Sequence, residues 1–248
     1  PSILGLPGIE ELGLLKRVYS MQSDNILDEY EDVFQGLGEV KGVKHTIRLK
    51  EDAVPVVHPP RRVPVALREP LKEELQRMER LGVIERVHEP TDWVNSLVIV
   101  RKKAKKNPIR VCMDPSDLNK AIKREHHPMK TVEDVVSRMP RAKVYTVLDA
   151  SHGFWQIALD EESSRYCTFN TPFGRYRFKR LPFGINSASE VFQNMMSQIF
   201  DDIEGVEVIV DDLLVWGEDT EQHDERLRQV LERARTHNIK LNEDKCQF

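Results

Sequence analysis

The stretch V-E-V-I-V-D-D-L-L-V-W-G, from Val206 to Gly217, places an adjacent acidic pair between two runs of strand-forming residues. Valine, isoleucine and tryptophan favour strands, so the stretch predicts a hairpin whose tight turn carries Asp211 and Asp212. Two carboxylates between buried strands need a cationic partner, and Mg²⁺ prefers such hard oxygen ligands. A solvated Asp-Asp turn is the simpler alternative, since aspartate is common in turns.

A strand further upstream ends in another carboxylate. V-Y-T-V-L-D, Val144 to Asp149, predicts a buried strand with Asp149 at its C-terminal end, although a helix-capping role would also explain that residue. From residue 144 onward the order is strand, hairpin, helix, hairpin, helix, strand, which is typical of an α+β fold with helices on one face of an antiparallel sheet. In such a sheet the end of the first strand can neighbour the hairpin turn. We therefore expect Asp149 to join Asp211 and Asp212.

Composition limits the class of protein. The chain has 248 residues, of which 40% are hydrophobic and 31% charged, as suits a soluble globular protein of one large or two modest domains. No apolar run approaches the roughly 20 residues of a membrane span, and no secretory signal is recognisable. The cysteines Cys112, Cys167 and Cys246 are far apart and odd in number, which indicates reduced, intracellular thiols.

The charge distribution favours a nucleic-acid partner more than the net charge of −4 does. Residues 61–143 carry 20 Lys and Arg against 12 Asp and Glu, which suits a local phosphate-binding surface. R-K-K-A-K-K at 101–106 is expected at a hairpin tip. F-G-R-Y-R-F-K-R at 173–180 alternates aromatic and basic residues, so that one face packs while the other meets phosphates or bases. A solvated charged surface is the alternative for both segments.

Periodicity and turn residues place the other elements. Helices are predicted over 24–34, 70–81, 130–139, 187–200 and from Asp219 or Thr220 to about His237. In the second of these, Pro70 fits the first turn and Gly82 fits the position just past the C-terminus. Residues 45–49 predict a strand and 55–64 an extended proline-rich segment, while 114–128 are polar and turn-rich.

Four ordered blocks resemble a known family. They are V-L-D-A-S-H-G-F-W-Q-I, F-G-R-Y-R-F-K-R-L-P-F-G-I-N-S-A-S-E-V-F-Q, V-I-V-D-D-L-L-V-W-G and L-N-E-D-K-C-Q-F. With the upstream blocks T-D-W-V-N-S-L-V-I-V-R-K-K and R-V-C-M-D-P-S-D-L-N-K, they resemble the reverse transcriptase of gypsy-type long-terminal-repeat retrotransposons. The likeness covers about residues 50–248. I-L-G at 3–5 resembles the end of the aspartic protease that precedes this enzyme in the Pol polyprotein.

The resemblance implies a polymerase right-hand fold with fingers and palm, the palm being an antiparallel sheet with helices on one face. It divides the chain into a leader or linker at 1–50, a fingers-rich region at 51–143 and a palm at 144–248. On this basis the chain is expected to end before the thumb, connection and ribonuclease H.

The same resemblance implies an RNA-directed and DNA-directed DNA polymerase, that is, a nucleotidyltransferase. Its partners would be an RNA or DNA template, a DNA or tRNA primer, deoxynucleoside triphosphates and the remainder of the Pol polyprotein, with no membrane. We expect an intracellular, cytoplasmic location within a virus-like particle.

Individual site residues follow from the matched blocks. Asp149, Asp211 and Asp212 match the three catalytic aspartates, which with the Ala150 carbonyl would bind two Mg²⁺ ions, Mn²⁺ being an alternative. Phe154 matches an aromatic gate that excludes the 2′-hydroxyl of ribonucleotides.

Two further groups would contact the substrates. The deoxynucleoside triphosphate would be held by Arg110 and one of Lys102 or Lys103, with Phe183 and Gly184 of the L-P-x-G turn near its base. The template or primer backbone would face Arg175, Arg177, Lys179 and Arg180.

Departures from the family pattern keep alternatives open. Ile209 stands where the Y-x-D-D box commonly has tyrosine. A catalytically silent or domesticated nucleic-acid-binding remnant of a retrotransposon is one alternative. A palm-type RNA-directed RNA polymerase is another, which the predicted Phe154 gate disfavours.

Overall fold

A computed structural model describes residues 26–101, 109–124, 132–139, 141–209 and 212–248. The strands are β1 Lys44–His45, β2 Ile84–Val87, β3 Ser96–Arg101, β4 Ile109–Asp114, β5 Val144–Asp149, β6 Ala158–Leu159, β7 Thr168–Thr171, β8 Gly174–Phe178, β9 Val206–Ile209 and β10 Asp212–Gly217. The α-helices are α1 Glu31–Phe34, α2 Val65–Arg80, α3 Ser116–Ala121, α4 Val132–Ser137, α5 Glu161–Tyr166, α6 Ala188–Phe200 and α7 Thr220–His237. Two 3₁₀ helices cover Gly153–Gln156 and Glu243–Lys245. Within these ranges, no helix has the length and apolar character needed to cross a bilayer.

The sheet that carries the acidic residues has the strand order β5–β10–β9, and both pairings are antiparallel. Leu148 lies opposite Leu213 and Thr146 opposite Val215, and all four side chains are almost wholly buried. Helix α7 packs against β5 and β10, α6 packs against β9, and the two helices contact each other. The predicted hairpin and its neighbouring strand are thus confirmed. Asp212, predicted in the turn, is instead the first residue of β10 and pairs with Ile209, while residues 210 and 211 lie outside the described ranges.

Helix α7 is fixed over this sheet by a buried polar contact. His223 Nε2 lies 2.8 Å from Thr146 Oγ1, and His223 Nδ1 lies 2.9 Å from Asp224 Oδ1. Because both ring nitrogens have partners, burial of this imidazole leaves no polar atom unsatisfied. The helix begins as predicted, since the Asp219 side chain accepts a hydrogen bond from Gln222 N at 2.9 Å.

Helix α2 begins five residues earlier than predicted. Its first residue is Val65, so Pro70 lies inside the helix and not in its first turn. Proline removes one backbone bond there, but the preceding V-A-L-R-E is rich in helix formers that outweigh the loss. The C-terminus agrees with the prediction. Gly82 has φ +65, and Val83 N donates to Met78 O at 2.9 Å, which is the closing bond of a Schellman motif.

A second sheet has the order β2–β8–β7, and a separate hairpin joins β3 to β4. The predicted aromatic hairpin is confirmed, with Phe169, Tyr176 and Phe178 buried and their rings in contact. Strand β2 falls in the predicted fingers region and β8 in the predicted palm. This sheet therefore spans the limit at residue 143, so the two regions are not separate packing units.

Residues 26–50, assigned from sequence to a leader or linker, pack into the core. Their buried side chains are Ile26, Tyr30, Val33, Val40 and Ile47. Arg235 of α7 lies 4.4 Å above the ring of Tyr30 and donates to Asp32 at 2.6 Å. Nothing in the local sequence marks these contacts, because their partners lie more than 200 residues away.

Several shorter elements differ from the expectations. The stretch 114–128 contains helix α3, and α5 precedes the aromatic hairpin without having been predicted. Both have only six residues, too few for a helical period to be recognised. The strand expected over 45–49 is reduced to Lys44–His45 and a single bridge between Leu49 and Ile122.

The buried amide of Gln156 connects three segments of the chain. Its Nε2 donates to the carbonyls of Ser151 and Lys240, each at 2.8 Å. Its Oε1 accepts from Lys240 N, also at 2.8 Å. The backbone carbonyl of Gln156 accepts from Val40 N at 2.9 Å, which attaches the N-terminal segment to the same point.

Replacing Gln156 by alanine should lower the free energy of unfolding by about 2–4 kcal/mol, because it removes three hydrogen bonds between the buried amide and backbone groups and creates a cavity. Urea denaturation with an unchanged m-value would measure this. Gln198→Ala, on the exposed side of α6, is the matched control and should stay within about 0.5 kcal/mol. A loss below about 1 kcal/mol for Gln156→Ala would contradict the role given to this amide.

Candidate active site

Two of the predicted acidic residues lie side by side. Strand β5 ends at Asp149 and β10 begins at Asp212, and the two residues are directly opposite in the antiparallel register. Directly opposite residues have their Cβ atoms about 4.5–5.5 Å apart. Asp149, Asp212 and Val147 line an open cleft of ≈ 500 Å³ together with residues 244–247. The structure thus brings together the carboxylates that the strand pattern placed side by side, while their chemical role stays a prediction.

The predicted ligand set is only partly visible. Asp211 lies outside the described residues, whereas Ala150 follows Asp149 at the end of β5 and forms a bridge with Leu241. In the part of the chain that the structure describes, no group of three or more His, Cys, Asp or Glu side chains is placed to hold a metal ion. Two adjacent carboxylates that line an open cleft nevertheless fit the oxygen chemistry that Mg²⁺ requires.

Lys245 is a residue of this site that sequence reasoning missed. Its Nζ lies 2.9 Å from Asp149 Oδ1 and 3.0 Å from Asp149 Oδ2. The backbone reinforces the contact, since Asn242 N donates to Asp149 O at 2.8 Å. The only signal in the sequence was a lysine within L-N-E-D-K-C-Q-F, and its partner is 96 positions away.

Cys246 also lines the cleft but has the wrong chemistry for a metal ligand there. Burial raises the pKa of its thiol to about 11, and the charges of Asp149 and Asp212 add to the rise. Sulfur is also a soft ligand that suits Mg²⁺ less well than the oxygen of a carboxylate. Asp149 and Asp212 supply the hard oxygen atoms of this cleft, and their binding of a metal stays a prediction.

An aromatic cluster begins immediately after β5. Phe154 lies in the 3₁₀ helix Gly153–Gln156, and its ring centroid is 5.2 Å from that of Phe183 and 5.8 Å from that of Phe192. A side chain at Gly153 would place a Cβ 3.1 Å from the Phe192 ring, so glycine allows this close packing. The Phe154 ring, only 9% exposed, is held in one position by its neighbours.

Residues predicted to bind the triphosphate and the base of the nucleotide lie next to this cluster. The Arg110 guanidinium stacks on the Phe183 ring at 5.1 Å, which orients a cation from β4 beside the aromatic residues. Gly184 has φ +106, and a Cβ there would approach Pro115 Cδ to 3.1 Å. The structure therefore gathers Arg110, Phe154, Phe183 and Gly184, whereas Lys102 and Lys103 lie outside the described residues.

Asn119 fixes the turn that contains Gly184 and was not recognised from sequence. Its Nδ2 donates to Gly184 O at 2.9 Å, and its Oδ1 accepts from Asn186 N at 3.0 Å. A polar residue in D-L-N-K gave no indication of a partner 65 residues away. This pair of bonds ties helix α3 to the L-P-F-G turn.

Two arginines of the basic hairpin are engaged by carboxylates. Arg177, 13% exposed, donates to Glu85 at 2.5 Å and to Glu161 at 2.6 Å. Burial would raise the pKa of Glu85, but the bonds and charges of Arg177 and Lys179 outweigh it and lower that pKa. Arg180, 12% exposed, donates to Glu39 at 2.7 Å and so holds the N-terminal segment.

The other two cations of this hairpin are differently placed. Lys179 is half exposed, and its Nζ is 3.3 Å from Glu85. The Arg175 guanidinium donates to Asn170, Thr91 and the Glu89 carbonyl with longer bonds of 3.4–3.5 Å. Contact of all four cations with nucleic acid stays a prediction, and the geometry favours Lys179 and Arg175 over the two arginines in structural ion pairs.

Comparison with known proteins agrees with this arrangement. The family model described as "Reverse transcriptase (RNA-dependent DNA polymerase)" matches residues 100–248. The chain is 34% identical over 224 residues to the uncharacterized protein K02A2.6 of Caenorhabditis elegans, covering 89% of this chain and 17% of that protein. It is 32% identical over 241 residues to the retrovirus-related Pol polyprotein from transposon 412 of Drosophila melanogaster, covering 93% and 19%. The chain thus spans less than a fifth of the length of these relatives.

Solved structures share the fold. The crystal structure of the prototype foamy virus protease-reverse transcriptase superposes with a TM-score of 0.83 at 20% identity, over 100% of this chain and 34% of that one. The same foamy viral protein in complex with an RNA/DNA hybrid gives 0.82 at 19% identity, over 100% and 34%. These matches confirm the predicted α+β polymerase fold. Because the family model spans more than half of the sequence, the chain belongs to the reverse transcriptase (RNA-dependent DNA polymerase) family.

Proposed function

We propose that this chain carries the polymerase site of a retrotransposon Pol polyprotein and copies RNA or DNA templates into DNA. The observation that carries the proposal is the direct pairing of Asp149 with Asp212 at the mouth of an open cleft. Membership of the family supports the reaction class, nucleotidyl transfer from a deoxynucleoside triphosphate to a primer 3′-hydroxyl.

Mg²⁺ is the proposed cofactor, with two ions held by Asp149, Asp211, Asp212 and the Ala150 carbonyl. Bound ions of this kind activate the primer hydroxyl and neutralise the leaving pyrophosphate. The part of the chain is to hold the carboxylates at fixed positions. Strand pairing does this for Asp149 and Asp212, since each is the terminal residue of a paired strand.

The aromatic cluster suits selection of the sugar. Phe154 is packed between Phe183 and Phe192, so its ring resists displacement by an incoming 2′-hydroxyl. Arg110, oriented by its stack on Phe183, is suited to bind the triphosphate, together with Lys102 or Lys103. This arrangement favours deoxynucleotides over ribonucleotides and hence a DNA product.

The nucleic-acid partners are proposed by analogy with the fold. Foamy viral relatives of this fold have been solved in complex with an RNA/DNA hybrid and with double-stranded DNA. A template of RNA or DNA, primed by DNA or tRNA, is the corresponding partner here. We further assign residues 51–143 to the fingers and 144–248 to the palm. We also propose that the chain comes from a gypsy-type retrotransposon and is located in the cytoplasm, within a virus-like particle.

The unaltered chain should extend an oligo(dT) primer on poly(rA) with dTTP and Mg²⁺, and Asp212→Asn should reduce the rate by about a hundredfold or more. Removal of one carboxylate would weaken binding of the metal that offsets the negative charge developing in the transition state. Asp52→Asn, which removes an exposed carboxylate from a surface turn, is the matched control and should extend normally. If the unaltered chain does not exceed the Asp212→Asn background even with the downstream thumb segment of the polyprotein restored, polymerase activity is contradicted and the nucleic-acid-binding remnant is favoured.

Replacing Phe154 by alanine should raise the use of rUTP relative to dTTP by about tenfold or more, because it opens space for the 2′-hydroxyl. Phe154→Tyr keeps the ring and should preserve selectivity. The ratio of kcat/KM for the two nucleotides measures the effect independently of how much folded protein each variant yields. Equal ratios in Phe154→Ala and the unaltered chain would contradict the gate.

A further inference from the structure

We propose that Lys245 is the resident counter-cation of the Asp149–Asp212 pair, and that a divalent metal must displace its ammonium group in order to bind. The inference rests on the proposed function in one respect, namely that these carboxylates are metal ligands. It adds a residue that sets how tightly the metal is held.

The ammonium group lies where a competing cation would. Lys245 Nζ contacts both carboxylate oxygens of Asp149, at 2.9 and 3.0 Å, and Asp149 stands directly opposite Asp212. A metal bound to Asp149 would sit about 2.0–2.1 Å from one of the same oxygens. Two cations so close to one carboxylate repel each other, so the two occupants exclude one another.

The turn that presents Lys245 is anchored on both sides. Before it, Leu241 bridges to Ala150, and Asn242 N donates to Asp149 O. After it, Gln247 exchanges two backbone bonds of 2.8 Å with Val147. The 3₁₀ helix Glu243–Lys245 spans the gap between these anchors, so the backbone directs the lysine at Asp149.

The side chain is nevertheless free to leave. Lys245 is 61% exposed whereas Asp149 is 19% exposed, so the ammonium can swing into solvent while the backbone anchors stay in place. A dication carries twice the charge of one ammonium group, so the acidic pair attracts it more strongly. Metal therefore wins the exchange at sufficient concentration, and the lysine lowers the apparent affinity.

The first test measures Mn²⁺ affinity by counting free Mn²⁺ with electron paramagnetic resonance. Lys245→Met should bind Mn²⁺ roughly fivefold more tightly than the unaltered chain, because the competing cation is gone. Lys245→Arg keeps a cation and should bind like the unaltered chain. Lys72→Met, which removes an exposed lysine 3.9 Å from Glu69 on α2, controls for net charge and should change nothing. Equal or weaker binding by Lys245→Met would overturn the inference.

Two further variants separate this inference from the proposed function. If Asp149→Asn and Asp212→Asn lose Mn²⁺ binding while Lys245→Met is unchanged, only the role of Lys245 fails. If both aspartate variants bind Mn²⁺ as tightly as the unaltered chain, the pair is not a metal site and both proposals fail.

A melting-temperature cycle provides a readout that a merely structural lysine would not give. In EDTA, Lys245→Met should have a lower melting temperature than the unaltered chain. Addition of Mg²⁺ should raise the melting temperature of Lys245→Met by more than that of the unaltered chain, because the stabilisation by a ligand increases with its affinity. Combined with Asp149→Asn, the lysine substitution should have little further effect. An equal rise in melting temperature for Lys245→Met and the unaltered chain would contradict the exchange of Lys245 for the metal.

Discussion

Two carboxylates, Asp149 and Asp212, face each other across adjacent strands, and like charges placed directly opposite destabilise an antiparallel pair. Cations that reach the pair lower this cost. Lys245 supplies one positive charge to Asp149 from a turn anchored at both ends on β5. The open cleft beside the pair leaves room for others. The fold therefore concentrates negative charge at the ends of β5 and β10, and the compensating positive charge comes from outside the sheet.

The surrounding structure keeps the two strand ends in register. On one side, helix α7 is bound to β5 through the buried contact between His223 and Thr146. On the other, the C-terminal segment pairs with Val147 and Ala150 at two bridges. Gln156 then connects the backbone after β5 to Lys240 and to the N-terminal segment. A continuous set of contacts thus reaches from the N-terminal segment to Asp149 and Asp212.

Much of this architecture could be predicted because local sequence patterns indicate it. The strands that end at Asp149 and begin at Asp212, the aromatic hairpin, and helices α6 and α7 all lie close to the expected places. Helix α2 begins five residues before the predicted start because Pro70 matches a start signal, although the residues before it favour helix. Family resemblance, and not spacing, supplied the roles of Arg110 and Phe154.

What the sequence concealed are contacts between distant positions. Lys245, Asn119 and Gln156 are polar residues with no distinctive neighbours, and their partners lie 96, 65 and 84 residues away. Two of the four cations expected to meet nucleic acid, Arg177 and Arg180, are themselves largely buried and form ion pairs with Glu85, Glu161 and Glu39. Alternation of basic and aromatic residues cannot distinguish such pairs from a phosphate-binding face, since both require the same cations.

The central claim, that the Asp149–Asp212 pair is a site for divalent cations, is tested most directly by diffraction from a crystal soaked in Mn²⁺. The account predicts an anomalous peak about 2.0–2.2 Å from carboxylate oxygens of both residues, with Lys245 Nζ moved away from Asp149. The absence of a peak at saturating Mn²⁺, with the lysine still bound to Asp149, would contradict it.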